Sequence, residues 1–109
     1  DIDNTLVAYT SPKPDKKALA FLERLDGLGI KICFVSNNHR DRVESFCIGL
    51  DYPYIFDARK PLVFKLRRAM KAAGVGKENT VLIGDQIFTD VYAANRAGVL
   101  SVMVNPIEA

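Results

Sequence analysis

The sequence lacks the features that would mark a membrane span, a secreted disulfide framework or a repeat array. No apolar run approaches the roughly 18–20 residues that a membrane-crossing helix needs, and no basic segment leads into an apolar targeting stretch. Cysteine occurs twice, as Cys33 and Cys47. Each lies inside an apolar pattern and they form no C-x-x-C, so both are expected as buried, reduced thiols rather than a disulfide or a metal pair. No repeat or low-complexity tract is visible. Charge is nearly balanced, 15 basic against 13 acidic side chains, which gives no argument for nucleic acid or a membrane surface as partner. What remains is ordinary globular material: 109 residues, 49% hydrophobic and 26% charged, enough for one domain, 1–109, with one core.

Also missing is a strand ahead of the first motif. The chain opens DIDNTLVAYT, without an initiator Met. Then SPKPD (11–15) punctuates a loop, with Asp15 suited to cap a helix. Ala18, Leu22 and Leu25, with Phe21 and Leu28, recur at helical spacing up to Gly29, a residue suited to the position just past a helix end. IKICFVS (30–36) has the composition of a strand buried on both faces. After NNHR, Val43, Phe46, Cys47 and Leu50 mark a second helix. YPYIF (52–56) reads as an edge strand entered through Pro53. Pro61 suits a first helical turn ahead of the stripe Val63, Leu66, Met70 and Ala73, which stops at Gly74. TVLIGD (80–85) is another buried strand, a helix runs through Val91, Ala94 and Ala97 to Gly98, and LSVMV (100–104) closes the pattern. Strands alternating with helices predict a parallel sheet with helices on both faces, a three-layer α/β/α sandwich of Rossmann-like type.

Ligands of such sheets collect outside the carboxyl ends of the strands, where the polar clusters of this chain fall: 1–5, Ser36-Asn37-Asn38, Arg59-Lys60 and Gly84-Asp85. On an extended segment Asp1 and Asp3 point to the same side, and Asp85 can join them from another strand. Carboxylates this close are costly without a cation between them, and Mg²⁺ is the natural one, a hard ion with oxygen ligands that recruits phosphate. Alternatively, acidic residues at strand ends are turn formers or caps. Lys60, pinned before Pro61, can neutralise a phosphate and an attacking carboxylate, or be a solvated lysine. The Ser36 hydroxyl and the amides of Asn37 and Asn38 suit phosphate oxygens at a strand-to-helix turn, although serine also simply enters helices. In GDQIFTD (84–90), Gly84 lets backbone approach a ligand, Thr89 or Asp90 can cap the next helix, and Asp90 can also accept from the waters of a metal.

The ordered set DIDNT, VSNN, RKP and GDQIFTD resembles the haloacid dehalogenase-like phosphohydrolase superfamily, and the likeness covers nearly the whole chain. More narrowly, SNN, ARKP and GDQIFTDVYAANRAG resemble subfamily IIIA phosphatases of the YqeG type, whose relatives include phosphatidylglycerophosphate phosphatases. The resemblance implies that Asp1 is a nucleophile forming an aspartyl-phosphate. It implies that Asp3 is the acid and base, with a carboxyl whose pKa is raised enough to carry a proton near neutral pH. Ser36 and Lys60 would hold the phosphoryl group, and Thr5 would brace the loop. Asp1, Asp3 and Asp85 would make the Mg²⁺ site with Asp90 behind it.

In that superfamily the nucleophile ends a central strand, so an apolar, β-branched-rich strand of about five to seven residues is expected directly before Asp1 in the native gene. A free amine on Asp1 would put positive charge beside the metal. The gaps between Thr5 and Ser36 and between Ser36 and Lys60 leave no room for a specificity domain, so an open site is expected. Such a site suits a bulky phosphate, a lipid headgroup or a protein, with His39, Arg40 and Arg59 at its mouth, and a cytoplasmic enzyme, peripheral at a membrane if the substrate is a lipid. A receiver domain is the competing reading, but its phosphorylated aspartate would replace Ser36; a non-catalytic phosphate-binding module is a third. A genomic start codon immediately before Asp1 would overturn the expected strand.

Overall fold

The first regular element opens at Asp15, whose carboxylate accepts the Ala18 N–H at 2.8 Å and so satisfies a donor that the first helical turn leaves unpartnered. Helix α1 (Lys16–Gly27) buries Ala18 and Leu22. Just past its end, Gly29 has φ 79°, the left-handed conformation expected there. The structure, a computed structural model, describes residues 1–2, 5–6, 12–60 and 62–104. After α1 come β1 (Phe34–Val35), α2 (Arg40–Cys47), β2 (Tyr54–Ile55) and α3 (Phe64–Ala73). A 3₁₀ turn (Lys77–Asn79), β3 (Val81–Gly84), a π-helical turn (Ile87–Val91), α4 (Tyr92–Ala97) and β4 (Leu100–Met103) complete the order.

The strands form two parallel pairs. Phe34 and Val35 pair with Tyr54 and Ile55, and β3 runs beside β4 from Val81↔Leu100 to Gly84↔Met103. Among the described residues no strand joins β1 to β3, but the start of the chain touches both pairs. The Asp1 nitrogen donates to the Ile83 carbonyl at 3.1 Å, and Ile2 is fully buried in the cluster that holds Phe34.

Because neighbouring strand residues point to opposite faces, β1 feeds two cores. Phe34 packs with Ile2 and with Ala18, Leu22, Val43 and Phe46 on the inward faces of α1 and α2, and meets the Phe46 ring edge-on at 5.7 Å between centroids. Val35 packs instead with Leu66 of α3, Leu82 of β3, and Ala93 and Ala94 of α4. Small side chains on α4 let that short helix lie close to the strands.

Several elements depart from the sequence expectation. Strand 30–36 shrinks to Phe34–Val35, because its partner is short. The Pro53 carbonyl accepts the Phe34 N–H at 3.0 Å but proline has no N–H to return, and the partner turns away at Asp57, where φ is 47°. Helix α3 starts at Phe64. Ahead of it the Leu62 N–H closes a turn on the Arg59 carbonyl at 2.8 Å; Pro61 lies outside the described residues. Both thiols are free, but only Cys47 is buried, and burial, then the nearby Cys33 thiolate charge, push its pKa up to about 11. Cys33 is exposed because it precedes the paired part of β1.

Phe46 is fully buried whereas Phe88 is 84% exposed. Phe46→Ala should therefore cost about 3–5 kcal/mol of unfolding free energy, and Phe88→Ala should stay within about 0.5 kcal/mol of the parent. Urea denaturation checks both; a Phe46→Ala loss below that of Phe88→Ala would contradict the assigned core.

Candidate active site

The loops that follow β1 and β2 are tied together by main-chain bonds. The Ser36 N–H donates to the Ile55 carbonyl at 2.9 Å, the Ala58 N–H to the Ser36 carbonyl at 2.9 Å, and the Asp57 N–H to the Asn38 carbonyl at 2.7 Å. In the second loop Asp57 and Arg59 both have positive φ, 47° and 58°, a region uncommon for residues that carry a Cβ. Its shape is held by the Lys65 ammonium, which donates to the Asp57 carbonyl at 2.7 Å. The effect of these turns is to aim Lys60 inward.

The Lys60 side chain is only 3% exposed. Burying a charge is costly unless it is paired and hydrogen-bonded, and this ammonium has an acceptor for each of its three protons. It donates to Asp90 Oδ1 at 2.5 Å, to Asp1 Oδ1 at 3.2 Å and to the Val35 carbonyl at 3.2 Å. Asp90 is equally buried and its other oxygen accepts the Gln86 N–H at 3.2 Å. The Thr5 hydroxyl donates to Asp1 Oδ2 at 2.8 Å and lies 3.4 Å from Asp85 Oδ1. One lysine and one threonine thus connect three aspartates from two parts of the chain, and carboxylate oxygens of Asp1, Asp85 and Asp90 fall within 4.8 Å of one another.

An open cleft of about 310 Å³ lies over this cluster, lined by Asp1, Ser36, Asn37, Asn38, His39, Lys60, Gln86 and Thr89. Ser36 is 2% exposed and its hydroxyl oxygen accepts the Asn38 N–H at 3.0 Å, so that amide is already engaged. The Asn37 carboxamide is engaged with the backbone of Lys60: it accepts the Lys60 N–H at 2.8 Å and donates to the Lys60 carbonyl at 3.1 Å.

The family model described as "HAD-hyrolase-like" matches residues 57–106, the stretch that carries Lys60, Asp85 and Asp90. The protein named "Probable phosphatase YqeG" of Bacillus subtilis (strain 168) is 39% identical over 107 residues, 98% of this chain. The chain belongs to the haloacid dehalogenase-like superfamily. It spans 62% of the length of that curated relative.

Set against the superfamily pattern, Asp1, Thr5, Ser36, Lys60, Asp85 and Asp90 come together, while Asp3 lies outside the described residues. Three expectations change. Gly84 serves Asp90 rather than a ligand: a Cβ on Gly84 would run into the Asp90 carboxyl group. Neither Thr89 nor Asp90 caps α4. The chain enters that helix through the π turn, where the Thr89 hydroxyl donates to Gln86 Oε1 at 2.8 Å, and Asp90 grips Lys60 directly. Arg59 is exposed and pairs with Asp57 at 3.6 Å, and Arg40 sits 4.8 Å over the Phe56 ring and 3.5 Å from Glu44. Neither arginine lines the cleft, unlike His39. Gln86 and Thr89 were missed as lining residues, although both sit inside the GDQIFTD stretch.

Asp90→Ala strands a buried ammonium and should cost about 3–5 kcal/mol. Gly84→Ala overlaps the same carboxyl and should cost about 1–3 kcal/mol, but much less in the Asp90→Ala background, where the obstacle is gone. Chemical denaturation of the four proteins measures the coupling; additive losses would separate Gly84 from Asp90.

Proposed function

We propose that this chain is the catalytic core of a Mg²⁺-dependent phosphomonoester hydrolase that works through an aspartyl-phosphate. The observation that carries the proposal is the Lys60 ammonium held between Asp1 and Asp90 beneath a cleft that Ser36 and Asp1 help to line. Membership of a family with a phosphatase relative supports it.

In this reading an Asp1 carboxylate oxygen attacks phosphorus and the ester P–O bond breaks. Asp3 gives its proton to the departing oxygen. Asp3 then takes a proton from water as that water attacks the acyl phosphate, which frees Asp1 and inorganic phosphate. The Thr5 and Lys60 bonds hold the Asp1 carboxylate in one orientation, which favours an in-line approach. Lys60 has no spare proton in the resting arrangement, so it meets a phosphoryl oxygen by sharing the N–H now given to Asp1. That exchange moves positive charge toward the phosphate as negative charge leaves Asp1. Ser36 contributes a hydroxyl hydrogen on the cleft wall.

The donor set fits a hard divalent cation: three carboxylates share a small volume with one ammonium, an excess of negative charge that a cation relieves. Asp1 and Asp85 would hold it, with Asp3 and with Asp90 behind. When bound it supplies charge neutralisation for phosphate binding and departure.

The proposal extends to the finer relations. The two strand pairs belong to one parallel sheet of a three-layer sandwich, with the Asp1–Ile2 backbone between β3 and β1; the Asp1 to Ile83 bond and the two-sided burial of β1 support this. The chain falls in subfamily IIIA, near the phosphatidylglycerophosphate phosphatases, and acts in the cytoplasm. No helix among the described residues is long and apolar enough to cross a membrane, which agrees with a peripheral enzyme. The partner is a bulky phosphorylated substrate, a lipid headgroup or a protein, because an open cleft leaves little remote binding energy to orient a small metabolite.

In the full-length protein, Asp1→Asn should lower phosphate release roughly a thousandfold or more with the fold retained. Asp85→Ala should raise the Mg²⁺ concentration for half-maximal activity at least roughly tenfold. Wild-type turnover in Asp1→Asn, or an unchanged Mg²⁺ titration in Asp85→Ala, would reject the respective role. Phosphatidylglycerophosphate should exceed soluble sugar phosphates in kcat/KM; equal values would remove the argument from openness.

A further inference from the structure

We infer that Asn37 is a positioning residue for Lys60, acting through the lysine backbone rather than through the substrate; the inference rests on the phosphatase reading above. Its single carboxamide spans both polar groups of the Lys60 main chain, Oδ1 receiving the N–H at 2.8 Å and Nδ2 donating to the carbonyl at 3.1 Å. An amide side chain that answers an N–H and a C=O together imitates the pairing of a neighbouring strand, and it does so where no strand continues. Position 37 lies beyond the last paired residue of β1, and Lys60 lies beyond the two left-handed residues of the other loop.

That clip matters because the rest of the loop does not fix the lysine on its own. Residues 57 and 59 occupy backbone conformations that favour glycine or asparagine, and the side chains anchoring them hold residue 57: Arg59 pairs with its carboxylate and Lys65 with its carbonyl. Lys60 itself is secured at two ends. The ammonium is bound by Asp1, Asp90 and Val35, and the main chain is bound by Asn37. Release of the main-chain end lets the stem swing and the ammonium lean toward Asp90, whose contact at 2.5 Å is the shortest of the three. Asp1 would then lose its cation.

Aspartate at this position keeps the acceptor for the Lys60 N–H but turns a second carboxylate oxygen toward the Lys60 carbonyl, where the donor was. Serine and alanine remove the span altogether. The order of activity expected is therefore Asn above Asp, with Ser and Ala lowest, although Asp and Asn have the same shape.

The test is a double-mutant cycle in the full-length protein, with p-nitrophenyl phosphate and Mg²⁺ as probes. Asn37→Ala alone should lower kcat/KM roughly 10–100-fold, the scale of a misplaced catalytic group. In a Lys60→Met background the same change should have less than about a twofold further effect, as for residues that act as a unit. Multiplicative losses would overturn the inference, because Asn37 would then act on the substrate directly. An Asn37→Ala variant as active as the parent would overturn it too. Amide hydrogen exchange at Lys60 supplies a readout independent of turnover and of whether Lys60→Met folds. The Lys60 amide should exchange faster in Asn37→Ala and Asn37→Ser while the α2 and β3 amides keep their protection; unchanged exchange would refute the clip. A parent without phosphatase activity, or full activity in Lys60→Met, would instead bring down the phosphatase reading, leaving the exchange result to decide whether Asn37 holds Lys60.

Discussion

The site is organised around one buried ammonium. Taking a lysine out of water is unfavourable by several kcal/mol, and Lys60 is tolerated at 3% side-chain exposure only because three acceptors converge on it. Each acceptor comes from a different place: the start of the chain, the end of β1 and the π turn after β3. The requirement that they converge dictates much else. Gly84 must lack a side chain so that Asp90 can reach in, the backbone at Asp57 and Arg59 must bend to an uncommon region, and the loops after β1 and β2 must be joined. A breach at any of these points leaves a charge without its partner in the interior.

The same geometry explains why the parallel pairs matter to chemistry. Strands running the same way deliver all their carboxyl ends to one edge. Phe34 and Val35 anchor β1 in two cores at once, so the loop carrying Ser36 and Asn37 leaves a strand fixed on both faces. Rigidity there is what allows a side-chain bond near 3 Å to be kept on an irregular segment.

Much of this was legible in the sequence. Helix α1, its Asp15 cap and the turn at Gly29 follow from local signals that no distant contact overrides; the polar clusters at strand ends named Asp1, Thr5, Ser36, Lys60 and Asp85, and the GDQIFTD stretch named Asp90. What could not be read depends on which atoms meet across the chain. The pairing of Asp90 with Lys60 spans 30 positions, and the Asn37 carboxamide could not be seen to prefer the Lys60 backbone, 23 positions away, over a ligand. Gly84 looked like room for a ligand because sequence cannot tell which atom fills the space beside a glycine. The surroundings of the arginines were not legible either: Arg40 lies over Phe56 and beside Glu44, and Arg59 beside Asp57.

The π turn after β3 closes with the Val91 N–H reaching back to the Gln86 carbonyl at 3.3 Å, beside the tighter Asp90 to Gln86 bond at 2.9 Å. A turn of this kind differs from an α-helical one by a single extra residue, so it works as a phase shifter. Without the surplus residue, α4 would be rotated by roughly 100° relative to the strand that precedes it. The alanine face that meets Val35 and Leu82 and the carboxylate that meets Lys60 could not then both point inward. The helix that closes the hydrophobic core and the acid that anchors the lysine belong to one continuous coil, and that one residue of offset reconciles their directions.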